Sequence, residues 1–131
     1  MGITDKSYKR LAPLLKLSDE MLQIGCQNIY TEKLNGIIAH DYFLKKGFSV
    51  RTVDITGCQG AEIMDLRQQQ DWTTQFDIVT DFGCMEHLDG GMYQFNKNIH
   101  DACKVGGIII RENPKTGHWP EHGSNYIDMD F

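Results

Sequence analysis

Four apolar runs, each bounded by a turn carrying glycine or an acidic side chain, constrain this chain more than any single residue does. MLQIGCQN (21–28) ends in a Gly turn, and FSVRTVDIT (48–56) carries Asp54 near its end. FDIVTDFGCMEHL (76–88) ends in a polar cluster, and KVGGIIIREN (104–113) is entered through a glycine pair. Strand ends that place Gly and carboxylates at such intervals are what a nucleotide-binding α/β sheet requires.

The segments between these runs supply the helices. Residues 4–18 read as a short amphipathic helix with Tyr8, Leu11, Leu14, Leu15 and Leu17 as its apolar set, split by Pro13. Residues 31–45 read as a second helix, with Leu34, Ile37, Ile38, Tyr42 and Phe43 at helical spacing and Gly47 as its C-cap. Residues 61–66 read as a brief strand or turn, and 67–75 as polar and irregular or helical. A third helix is expected over 91–103, with Met92, Phe95, Ile99 and Cys103 on one side; Gly106-Gly107 then turns into the strand Ile108–Ile110. Strands alternating with helices imply βαβ units and a parallel sheet. The whole chain, 1–131, reads as a single domain with an N-terminal helical segment (1–20) and a loop-rich tail (112–131).

Composition narrows the partners. A net charge of −5 lacks the basic density that meets phosphates, which argues against nucleic acid and leaves a small molecule or a protein side chain as the expected partner. No apolar run is long enough to span a bilayer, and the charged N-terminal stretch has no apolar signal core, so a cytoplasmic protein is expected. The four cysteines (Cys26, Cys58, Cys84 and Cys103) form no C-x-x-C pair, and reduced, small apolar-like thiols are the expectation.

Five places could carry chemistry. Gln23-Ile24-Gly25-Cys26-Gln27 ends the first strand; its glycine lets a ligand approach the backbone, though a plain strand–turn–helix uses the same residues. Asp54, with Ile55 after it, ends the second strand, where a carboxylate can accept hydrogen bonds from a ribose diol or cap its own turn. Asp65 could face an adenine amino group, with Leu66 beside the ring. Asp81-Phe82-Gly83 and Glu86-His87 sit where the next strand opens: Phe82 could cover a flat ring or a sulfonium, and Glu86 and His87 offer an acid/base pair or cap the next helix. His118-Trp119-Pro120-Glu121-His122 spells an inverted zinc-protease string, but Pro120 forbids the continuous helix that motif needs. A loop site using His87, His118 and His122 has no ligand spacing behind it, so no metal is expected.

In this order, the motifs from about 20 to 115 resemble class I S-adenosylmethionine-dependent methyltransferases, and the string from Asp81 to His122 looks like small phage and environmental methyltransferase-like proteins. The resemblance implies a Rossmann-like, mostly parallel sheet flanked by helices, in a C-terminally short version of that fold. It implies S-adenosyl-L-methionine as cofactor, with Gln23, Gly25, Cys26 and Gln27 at the methionine part. Asp54 and Ile55 would lie at the ribose, Asp65 and Leu66 near adenine, and Asp81, Phe82 and Gly83 in the fourth motif. Glu86 and His87 would be catalytic. Two departures stand out: Gln23 replaces the usual acid, and the turn has one Gly. A bare fifth-strand edge would favour pairing with another chain, a homo-oligomer included. The expected activity is methyl transfer to a small-molecule or protein acceptor. The alternative is a non-catalytic cofactor-binding or scaffold protein that completes its fold with a partner. A nicotinamide oxidoreductase is disfavoured by the missing triple-glycine turn.

Overall fold

The computed structural model describes residues 2–114. In chain order these form β1 (Gly2–Thr4), α1 (Asp5–Leu11), β2 (Glu20–Ile24), β3 (Asn28–Tyr30), β4 (Asn35–Ile38), α2 (Ala39–Lys45), β5 (Ser49–Asp54), β6 (Glu62–Ile63), β7 (Phe76–Phe82), α3 (Met92–Ala102) and β8 (Cys103–Glu112). Single 3-10 turns lie at Ala12–Leu14, Cys58–Gly60 and Met85–His87.

The main sheet has the order β6-β5-β2-β7-β8, with every neighbouring pair parallel. This is a Rossmann-like α/β arrangement, as the alternation of apolar runs and helical stretches predicts. β2 is central, its Met21 opposite Val50 on one side and Ile78 on the other. Burial on both faces explains why β2 and β7 read as continuous apolar runs.

Each face of the sheet has its own core. Leu22, Ile24, Val53 and Val79 pack with Phe95, Ile99 and Ala102 of α3. Met21 and Phe82 pack on the other face with Leu11 of α1 and Ala39 and Phe43 of α2. The alternation of Met21 and Leu22 between the two clusters is the two-residue period of a strand.

Three local expectations are corrected. The N-terminal segment is not wholly helical: Gly2–Thr4 is a strand, paired in parallel with β3, and Thr4 then caps α1 by accepting from the Ser7 N–H. The helix expected over 31–45 begins only at Ala39. Residues 31–38 instead turn and return as β4, antiparallel to β3, with the Thr31 N–H donating to the Leu34 carbonyl at 2.8 Å. Asn35-Gly36 and the β-branched Ile37-Ile38 suit a turn and strand better than a helix. β8 runs unbroken from Cys103, with a register irregularity opposite Phe76–Ile78, rather than starting after the glycine pair. Among the described residues β8 pairs only with β7 and forms one edge of the sheet. The tail from 115 lies outside the described residues, so the zinc-protease string does too.

Candidate functional site

Parallel strands bring their carboxyl ends to one edge of the sheet, and a crevice there is where such folds hold ligands. A cavity of about 220 Å³ lies at that edge. Gly25 follows β2, Asp54 and Ile55 end and follow β5, Met64 to Arg67 follow β6, and Cys84 and His87 to Asp89 follow β7; Phe95 comes from α3. Three separated sequence expectations thus line one cavity: Gly25, Asp54 with Ile55, and Asp65 with Leu66.

Gly25 has φ 80°, a backbone conformation that favours glycine, and its N–H donates to the Val53 carbonyl at 2.8 Å. This binds the turn after β2 to the end of β5. The Asp54 carboxylate holds the same junction: it accepts from the Cys26 N–H at 3.3 Å, from the Thr56 N–H at 2.7 Å and from the Thr56 hydroxyl at 2.6 Å.

Asp65 is committed to a neighbour. The Arg67 guanidinium donates to it through Nε and Nη2 at 2.8–3.2 Å, and the Arg67 N–H adds a bond at 3.0 Å. The guanidinium bonds hold the Asp65 carboxyl below its usual range. A carboxylate so engaged has fewer lone pairs for an amino group, so Arg67 changes the role expected of Asp65.

His87 lines the cavity and its Nε2 lies 3.3 Å from Oε1 of Glu86, whose side chain is buried. The pair stands in the short 3-10 turn after β7, where His87 lines the cavity and Glu86 lies behind it, outside the lining. Cys84 also lines the wall, and its thiol donates to the Ile24 carbonyl at 3.2 Å. Desolvation, with the Asp81 and Asp54 carboxylates nearby, pushes this thiol well above the ordinary range, which keeps it protonated and poorly nucleophilic.

Other expected residues stand behind or away from the wall. Gln23 and Gln27 are fully buried; their amides donate at 3.4 Å to the Gly25 and Ile24 carbonyls, and their Oε1 atoms have no partner among the described residues. Asp81 is buried in an ion pair with Arg111 and caps the following turn through the Cys84 N–H at 3.0 Å. Gly83, at φ 84°, lets that turn pass beside Glu86. Phe82, expected over a ring, is buried in the core of the opposite face, because its position in β7 points it there. The aromatic ring on the cavity wall is Phe95. Sequence reading gave Phe95 only a helix-face role, and it missed Arg67 and Arg111; the signal available for Phe95 was its place one turn into the helix after the fourth motif.

The cysteines also differ from expectation. Cys26 and Cys58 form a disulfide across 32 positions of sequence, their Cα atoms 6.2 Å apart. The turn after β2 and the loop after β5 are neighbours at the carboxyl edge because β2 and β5 are neighbours in the sheet. Cys84 and Cys103 are free.

No protein-family model matches the chain, and no curated protein matches it. No helix among the described residues is long and apolar enough to cross a membrane.

Proposed function

We propose that this chain binds S-adenosylmethionine at the carboxyl edge of its sheet and transfers the methyl group to a small-molecule or protein nucleophile. The observation that carries the reading is the meeting of Gly25, Asp54, Leu66 and His87 around one cavity beside a five-stranded parallel sheet. Their wall chemistry fits the group. Asp54 offers a carboxylate to a ribose diol, and the open backbone at Gly25 permits close approach. Ile55, Leu66 and Phe95 offer an apolar bed for a flat ring. The cofactor supplies an electrophilic methyl group on a sulfonium.

The chain's own residues would do the rest by positioning. The Asp65–Arg67 pair fixes the cavity rim, so recognition of the base falls to the apolar wall. His87, steadied by Glu86 at 3.3 Å, can accept a proton from an acceptor that must lose one.

Titration calorimetry of the full chain with S-adenosylmethionine and S-adenosylhomocysteine tests the reading. Micromolar binding is expected, weakened by about 1–3 kcal/mol in Asp54→Asn, the range for unpaired polar groups. His87→Ala should bind as the parent does. No binding of either ligand would overturn the proposal. Binding without methyl transfer to any acceptor would favour a cofactor-binding scaffold instead.

A further inference from the structure

The Cys26–Cys58 disulfide has a carboxylate beside it. The sulfurs of both cysteines and a carboxylate oxygen of Asp54 lie within 4.8 Å of one another. The hydrogen bonds to Asp54 come from two backbone N–H groups and one hydroxyl, none of them cationic. The disulfide is not the sole tie at this junction. Gln59 donates through Nε2 to Oδ1 of Asn28 at 2.7 Å, tying the same two loops, and Asp54 accepts from the Cys26 N–H. These two bonds would hold both thiols near the carboxylate once the sulfur–sulfur bond is opened.

We propose that, when reduced, Cys26, Cys58 and Asp54 form a binding site for a soft divalent cation, zinc above all. The reading goes beyond methyl transfer and does not rest on it. Thiolates select zinc over hard cations such as magnesium and calcium, and a carboxylate is an accepted third ligand. Two thiolates on one tetrahedral zinc stand about 3.8 Å apart, given Zn–S bonds of about 2.3 Å. With Cα atoms 6.2 Å apart, side-chain rotation would have to carry the sulfurs to that spacing. Three protein ligands leave the fourth position to water, as in an open site.

The chemistry balances with a dithiol as the reductant. The dithiol gives two electrons and two protons to the sulfur–sulfur bond, becoming a disulfide itself and leaving two thiols on the chain. Zinc then binds both thiolates and releases the two thiol protons. Oxidised and metal-bound forms are mutually exclusive, since a disulfide sulfur has no thiolate to offer. A bound cation would also engage Asp54, so zinc and any ligand that needs this carboxylate should compete.

The test uses the full chain, reduced with a phosphine that binds metal weakly, and titrated with Co²⁺ alone and then Zn²⁺ alone. Cobalt should give a thiolate charge-transfer band at one equivalent, displaced by zinc. The oxidised chain should give none. Cys58→Ser should abolish the band, and Asp54→Asn should weaken zinc binding by about 10- to 100-fold. Absence of the band in the reduced, folded chain would overturn the proposal. A band unchanged in Cys58→Ser would also overturn it, by placing the ion on other cysteines. If Cys58→Ser fails to fold by circular dichroism, Asp54→Asn decides: unchanged zinc affinity there sinks the site. None of these readouts involves S-adenosylmethionine, so this proposal and the methyltransferase reading fail separately.

Discussion

Arg111 reaches from β8 to the fully buried Asp81 of β7, donating through Nε at 3.0 Å and Nη2 at 2.9 Å to a single carboxylate oxygen. The other oxygen of Asp81 accepts the Cys84 N–H, so one carboxylate orders both the edge strand and the turn that carries Glu86 and His87. Arg111 also donates to Asn96 and lies 5.8 Å from the ring centre of Phe95. Removing one member of a buried ion pair leaves the other charge uncompensated. Arg111→Met should therefore cost about 3–5 kcal/mol by urea denaturation. A loss below about 1 kcal/mol would place this pair with weak surface bridges instead.

Gly91 begins α3 at φ 70°, and a Cβ there would stand 2.6 Å from Cβ of Arg67. Alanine at such a position is strained twice, in its backbone and against a neighbour. Gly91→Ala should destabilise by more than about 1 kcal/mol and pull Arg67 from Asp65. Denaturation reads the first effect. An NMR titration of Asp65 reads the second, as a carboxyl pKa returning upward; an unmoved pKa would mean that the rim relaxes elsewhere.

Acid stability should depend on Asp77. The Glu20 N–H donates to its carboxylate at 2.8 Å, and Lys104 adds weaker contacts at 3.3–3.4 Å. The Glu20 bond, with help from Lys104, lowers the Asp77 carboxyl below its ordinary value. A depressed folded pKa gives stability that is complete above the unfolded value, about pH 3.9, and lost as pH falls through the folded one. Asp77→Asn should thus flatten the acid limb of stability against pH. Urea midpoints between about pH 2 and 6 check this, and parallel curves for parent and variant would rule it out.

The disulfide closes a loop of 32 positions. Loop-closure entropy of that size is worth about 3–4 kcal/mol to the folded state. Metal-free Cys58→Ser, or the parent under dithiol, should lose about that much in denaturation, with the two losses equal. A far larger loss in the variant than in the reduced parent would point to lost side-chain contacts of Cys58.

The main sheet was legible because its inner strands are buried, and burial writes itself as the runs around Leu22, Val53 and Val79. The β3–β4 hairpin was not. Leu34, Ile37 and Ile38 fall at positions that a helix would also use, and the pairing of Ile29 with Ile37 is a tertiary fact. The candidate site was legible at Gly25, Asp54 and Leu66, since Asp54 closes a strand and the other two follow one. Phe82 was misread because which face of β7 a residue takes depends on register, which the apolar run FDIV does not reveal. The Cys26–Cys58 bond follows from the adjacency of two loops, and no spacing in the chain announces it.

Ser7 of α1 donates to the Glu112 carboxylate of β8, across 105 positions of sequence. The same hydroxyl also lies 2.8 Å from the Thr4 hydroxyl, so it joins the start of α1 to the edge strand. On the ribosome, α1 and the β1–β3–β4 layer emerge long before β8 can dock beside β7. The contact is therefore a reporter of β8 docking: a nascent chain stalled before residue 112 lacks the Ser7–Glu112 bond, however well its central strands have already paired.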